Sequence, residues 1–236
     1  MKKMLLMCLC FVLIAVATVG GTIAATKDAR GDGLPIQSGA VLVRLTEEQR
    51  SADGTGFETH VPSSVFFPDP GATANSPYLT PTLPVTWHDG SELLFWEHLP
   101  RAKDKIVSIT NTSRTDAYIR AVFAFEDTNG IADRLYLNVT DPDALVFVCR
   151  TVIGGTPYQI FTYTYDTPLG AGETSRPSLL QFVFDTSVSS AELMAIGGTY
   201  DVLVYAQAVQ ADGFSDAASA FDAMFGTVTA DHHPWS

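Results

Sequence analysis

The chain has 236 residues, 46% hydrophobic and 17% charged, with 14 Lys and Arg against 26 Asp and Glu. That is room for one large domain or two small ones, and it is too apolar for intrinsic disorder. A net charge of −12 excludes nucleic acid and anionic membrane surfaces as partners, because phosphate binding needs concentrated Lys and Arg.

Lys2 and Lys3 precede an apolar run over residues 4–19, followed by Gly20, Gly21 and a small-residue stretch that includes Ala24 and Ala25. Charged, apolar and small-residue regions in that order predict a secretory signal peptide over residues 1–25. The run is shorter than the about 20 residues of a spanning helix. Cleavage after Ala24 or Ala25 is expected, so the exported form is a single domain over residues 26–236 that is not held in a membrane. It keeps twelve basic residues against the same 26 acidic ones, a net of −14. Cys8 and Cys10 leave with the leader, so Cys149 stands alone and no intrachain disulfide is expected. Its apolar neighbours Val146, Phe147 and Val148, with no nearby Lys or His, predict a buried, unreactive thiol.

After the leader, β-branched and aromatic residues in short runs predict about eight strands: 41–45, 105–110, 117–125, 135–139, 144–153, 159–165, 179–184 and 201–207. Gly-rich and Pro-rich turns separate several of them, such as Gly154-Gly155-Thr156-Pro157 and Gly170-Ala171-Gly172. This is the pattern of an antiparallel β-sandwich. Between the first two strands, residues 51–84 carry Pro62, Pro68, Pro70, Pro77, Pro81 and Pro84, which predicts an irregular insertion. In strand 117–125, Ile119, Ala121, Phe123 and Phe125 share the core face. Tyr118, Arg120, Val122 and Ala124 share the other, where Arg120 is expected to partner a carboxylate.

Two short peripheral helices complete the reading. One follows Ser189 as cap, with Glu192 completing a capping box and Gly197 ending it. The other follows Ser215, with Asp216 in its first turn, Gly226 as its stop, and Phe214, Ala217, Ala218, Phe221, Met224 and Phe225 as a stripe that docks on the sheet.

Catalytic signatures are sparse. The histidines are His60, His88, His98, His232 and His233, and none forms the His-Glu-x-x-His spacing of helical zinc proteases. No Gly-x-Ser-x-Gly or phosphate-binding loop occurs. The acidic stretches Glu126-Asp127-Thr128-Asn129-Gly130 and Asp141-Pro142-Asp143 read as turns rather than Ca²⁺ loops. Asn111-Thr112-Ser113 and Asn138-Val139-Thr140 match the glycosylation acceptor pattern and are discounted. Neither a catalytic residue, a cofactor nor a metal is expected.

Several stretches, in order, resemble the TasA/camelysin family of secreted bacterial proteins, whose export uses a SipW-type signal peptidase. They are the leader ending Gly20-Gly21-Thr22-Ile23-Ala24, the strand Gly39-Ala40-Val41-Leu42-Val43-Arg44-Leu45, residues 105–120 with Asn111-Thr112-Ser113 at their centre, the loop Pro168-Leu169-Gly170-Ala171-Gly172-Glu173-Thr174, and Ala206-Gln207-Ala208 leading towards Gly213-Phe214. The resemblance implies a jelly-roll sandwich and an extracellular matrix subunit that donates its N-terminal segment as a strand to a neighbouring copy. The donor would lie within residues 26–45, with Leu34, Ile36, Val41 and Val43 among its apolar anchors. Camelysin-like relatives have been described as metalloendopeptidases, which makes a secreted protease the enzymatic alternative. A carbohydrate or host-surface binding module is a third, with Trp87, Trp96 and Trp235 as candidate contacts; Trp96, beside Leu94 and Phe95, reads as core.

Overall fold

The computed structural model describes residues 35–38, 41–53, 55–62, 102–200 and 202–236. In chain order the elements are β1 Pro35–Ser38, β2 Val41–Arg50, β3 Phe57–Thr59, β4 Ala102–Asn111, β5 Ala117–Glu126, β6 Leu135–Asn138, β7 Leu145–Ile153, β8 Thr156–Thr164, β9 Leu179–Phe184, α1 Ser190–Ala195, β10 Val202–Gln210 and α2 Ala217–Phe225. All strand pairs are antiparallel and form two sheets, β1-β2-β4-β9-β6 with β3 added to β2, and β10-β5-β8-β7. The chain passes repeatedly between the sheets, from β4 to β5, β5 to β6, β6 to β7, β8 to β9 and β9 to β10. The result is the expected all-β sandwich, wound in a jelly-roll-like manner, with two short peripheral α-helices among the described residues. The expected signal peptide, with its expected cleavage residues Ala24 and Ala25, lies outside the described residues.

Alternation places one face of each sheet in a shared core. Val43, Val107, Ile109, Phe182 and Phe184 come from the first sheet, and Ile119, Phe123, Phe125, Phe161 and Tyr163 from the second. Aromatic rings meet at their edges, with Phe125 and Phe161 5.5 Å apart and Phe184 and Tyr200 5.1 Å apart. Gly154 and Gly155, both at positive φ, close the β7–β8 hairpin as a two-residue turn whose twist suits adjoining strands.

Three expectations change. First, part of the 51–84 insertion is regular, because Phe57–Thr59 forms β3 and pairs with β2 from Glu48↔Thr59 to Arg50↔Phe57. Second, β5 is covered on both faces. Tyr118 packs with Val209, Ala217, Ala220 and Phe221 beneath α2, and Val122 and Ala124 pack with Ile160 and Val228 beneath the C-terminal segment. Third, Asp216 is itself the α2 cap, its carboxylate accepting from the Ser219 N–H at 2.7 Å while Ser215 Oγ donates to it. The α1 capping box is present as expected, with Ser189 Oγ accepting from Glu192 N–H and Glu192 accepting from Ser189 N–H.

The first sheet also carries a buried polar ladder across four adjacent strands. Arg50 of β2 donates from Nε and Nη2 to the Asp104 carboxylate of β4, both at 2.8 Å, and its own N–H adds a third bond at 3.1 Å. Gln181 of β9 donates to Asp104 at 2.8 Å, and Asn138 of β6 donates to Gln181 at 3.1 Å. Asp104, Gln181 and Asn138 are fully buried and Arg50 nearly so. Lys105, also buried, meets Glu47 at 2.5 Å.

Candidate functional site

The N-terminal edge is built from β1 and β2. Residues 39–40 join them, and the register runs from Pro35↔Arg44 to Ser38↔Val41. Pro35 opens β1 where a missing N–H is tolerated. In β2, Val41 and Val43 are 1% and 0% exposed, and Val43 to Glu48 pair with β4 from Asn111 to Ile106. The expected anchors therefore separate. Val41 and Val43 belong to this chain's own core, Ile36 lies in β1 opposite Val43, and Leu34 lies outside the described residues. β10 of the second sheet passes beside β1 and β2 and closes that side of the sandwich.

Two stretches that carry the resemblance meet at the end of this edge. Asn111 N–H donates to the Glu173 carbonyl at 2.9 Å, and Gly172 N–H donates to the Asn111 carbonyl at 2.8 Å. Asn111 Nδ2 donates to the Thr115 and Leu169 carbonyls, both at 2.8 Å, and Thr112 N–H donates to Leu42 of β2 at 2.8 Å. Glu173 curls back to accept from Gly170 N–H at 2.9 Å, so a Cβ at Gly170 would meet its carboxylate at 2.8 Å. Gly172 adopts φ +80°, which glycine takes without strain. Asn111 and Asn138 are both fully buried, which leaves neither glycosylation acceptor accessible.

A groove of about 700 Å³ runs over the outer face of the second sheet between α2 and β7. Arg120 lies in its wall with Val146, Val148, Thr162 and Asp222. Its expected carboxylate partner is replaced by an amide and a ring: Nε donates to Gln207 Oε1 at 2.8 Å, and the guanidinium lies 4.4 Å from the Phe221 ring centre. Burial pushes Arg120 down to about 10, opposed by the charge of Asp222, so it stays cationic at neutral pH.

The acidic turns are occupied by protein partners. The Asp127 carboxylate accepts from Ala132 N–H, Arg150 and Gln159, Asp133 accepts from Arg150, and Asp141 pairs with Arg176 at 2.9 Å. Asn129 and Gly130 take the left-handed conformation that the turn reading predicts. Among the described residues no group of three or more His, Cys, Asp or Glu side chains could hold a metal ion. His88, His98, Trp87 and Trp96 lie outside the described residues. Cys149 is half-buried on the outer face beside Ile160, and burial raises its thiol.

Trp235 and His233 belong to a C-terminal segment that straps this outer face. The Trp235 ring sits 6.4 Å from Tyr205, the Trp235 main-chain N–H donates to His233 Nδ1 at 3.2 Å, and Thr151 of β7 donates to the Ala230 carbonyl at 2.8 Å. His233 is held below its ordinary value by burial and by His232, with Asp231 opposing. Its Nδ1 must be unprotonated to accept from Trp235. The part of the strap's stability that depends on neutral His233 is therefore complete above about pH 6.5 and is lost as pH falls through the depressed His233 value. Amide hydrogen exchange of residues 226–236 is expected to accelerate between pH 7 and pH 5 beyond its intrinsic pH dependence, and His233→Gln should remove that component.

No protein-family profile, curated protein or solved structure matches the chain.

Proposed function

We propose that this chain is a secreted or cell-surface structural protein, a subunit of extracellular biofilm-matrix fibres that self-associates by donating its N-terminal strand to a neighbouring copy. A SipW-type signal peptidase would release it on export. The observation that carries the reading is the placement of β1 at the sheet margin, joined by two residues to a β2 whose Val41 and Val43 are fixed in the core. Withdrawing β1 unpairs four residues and leaves the rest of β2 seated on β4. The vacated edge of β2 would then accept the same segment from another copy, main-chain pairing giving affinity and alternate side chains giving specificity.

The net charge of −14 after cleavage opposes approach at long range, so added salt is expected to promote assembly. Deleting residues 26–37 from the exported chain is expected to abolish fibres and oligomers in electron micrographs. Undiminished fibres from that variant would overturn the proposal.

A further inference from the structure

The groove between α2 and β7 holds a cation that no carboxylate touches. Arg50, Lys105, Arg134, Arg150 and Arg176 each meet an Asp or Glu. Arg120, in a chain with 26 acidic residues, instead directs Nε and Nη2 to one neutral oxygen, Gln207 Oε1, at 2.8 and 2.5 Å, and lays a face on the Phe221 ring. Its Nη1 makes no hydrogen bond with a described residue, and the side chain lines the groove. A guanidinium partly withdrawn from water, with one N–H edge open in a concave wall, is a seat for an anionic oxygen brought by a ligand.

The rest of the wall narrows the class of anion. Val146, Val148 and Val228 give it an apolar lining, and about 700 Å³ accommodates a small organic ligand. Four carboxylates also face the groove. Asp141 is paired with Arg176 and Asp222 accepts from Thr227 at 3.0 Å, while the carboxylates of Asp143 and Asp166 make no hydrogen bond or ion pair with a described residue. That field opposes a phosphate, a sulfate or a dicarboxylate, and favours a single carboxylate that carries its own cation. The register sets the separation between the two charges. Arg120 pairs with Thr164 of β8, and Asp166 follows two residues on, about 7 Å along the strand direction. The four-carbon stem of a lysine spans such a gap between its α-carboxylate and its ammonium.

We propose that this groove binds a peptide end of lysine-like chemistry, with its α-carboxylate on Arg120 Nη1, its stem along Val146 and Val148, and its ammonium at Asp143 and Asp166. The site lies on the second sheet and does not involve β1, so it is independent of strand donation.

The test is calorimetric titration of the exported chain with Nα-acetyl-lysine, with its carboxamide, which lacks the carboxylate, and with Nα-acetyl-norleucine, which lacks the ammonium. Nα-acetyl-lysine should bind tightest. The carboxamide should bind about tenfold more weakly or worse, the loss of a charge-assisted hydrogen bond. Because it keeps the ammonium, that weakness is not explained by general attraction of cations to an acidic chain. Arg120→Met should bring Nα-acetyl-lysine down to the affinity of the carboxamide. The double variant Asp143→Asn, Asp166→Asn changes only exposed side chains and should weaken Nα-acetyl-lysine about two- to fivefold while leaving or improving Nα-acetyl-norleucine. Arg120 also braces α2, so hydrogen exchange of residues 217–225 checks that Arg120→Met keeps the helix docked; where it does not, the ligand series and the aspartate double variant decide. No saturable binding of Nα-acetyl-lysine, a carboxamide that binds equally well, or an unchanged preference in the aspartate double variant would overturn the proposal. A failure of strand donation appears elsewhere, as fibres that persist when residues 26–37 are deleted.

Discussion

Asp104→Ala is expected to destabilise the domain by about 3–5 kcal/mol, measured by urea unfolding, because it removes the counter-charge from the buried Arg50 guanidinium. Three bonds from Arg50 and one from Gln181 end on the Asp104 carboxylate, which is 0% exposed. Taking both partners away is a different experiment. The double variant Arg50→Met, Asp104→Leu should recover much of the loss, since desolvating an ion pair offsets most of its attraction. Recovery should fall short of complete, because the main-chain N–H at position 50 and Gln181 Nε2 both lose their bonds to the Asp104 carboxylate, and an unmade buried hydrogen bond costs about 1–3 kcal/mol. A double variant as unstable as Asp104→Ala would show that the ladder holds β2, β4, β9 and β6 together by more than pairwise attraction.

That ladder was the least legible part of the fold. The predicted start of β4 at Lys105 falls three residues late, because Lys103 and Asp104 carry none of the apolar alternation that marks a strand. Only the pairing of Asp104 with Gln181, and of Gln181 with Asn138, shows that polar residues far apart in sequence occupy neighbouring positions on one sheet face. Local patterns did better where the physics is local. The run Leu179–Phe184, the hairpin at Gly154-Gly155 and the Ser189–Glu192 capping box depend on near neighbours and are found where the residues place them. The double burial of β5 depends on α2 and the C-terminal strap arriving from about a hundred residues away. Its second face nevertheless carried a signal, since Tyr118, Val122 and Ala124 leave Arg120 as the single charge among four positions.

The two sheets end on different edges. In the first, β1 is four residues long and pairs with a β2 whose Val41 and Val43 are buried in the core. The second ends on β7, nine residues long, with Val146 and Val152 exposed. The strap over Cys149 and Tyr158 covers the outer face next to that edge but leaves Val146 and Val152 exposed. Acidification that loosens the strap would therefore enlarge the apolar surface beside β7 rather than alter the pairing of β1 with β2.

Phe221→Ala is expected to cost about 3–5 kcal/mol and to undock α2 before the sandwich unfolds. Phe221 is 1% exposed and is the α2 side chain that packs against β5 and β10 through Tyr118 and Val209, while its face supports Arg120. Hydrogen exchange should show residues 217–225 losing protection ahead of the core strands, since this small cluster is separate from the main core. Phe221→Leu preserves apolar volume and removes only the ring, so it should cost well below the alanine variant. The difference isolates the cation–π contact when combined with Arg120→Met in a double-mutant cycle, with an expected coupling of about 0.5–2 kcal/mol. A coupling near zero would assign Arg120 to Gln207 alone and make α2 docking purely apolar. A coupling in the expected range would mean that the Arg120 cation in the wall of an acidic groove is held there by the helix, so that loss of α2 releases it to the carboxylates on the rim.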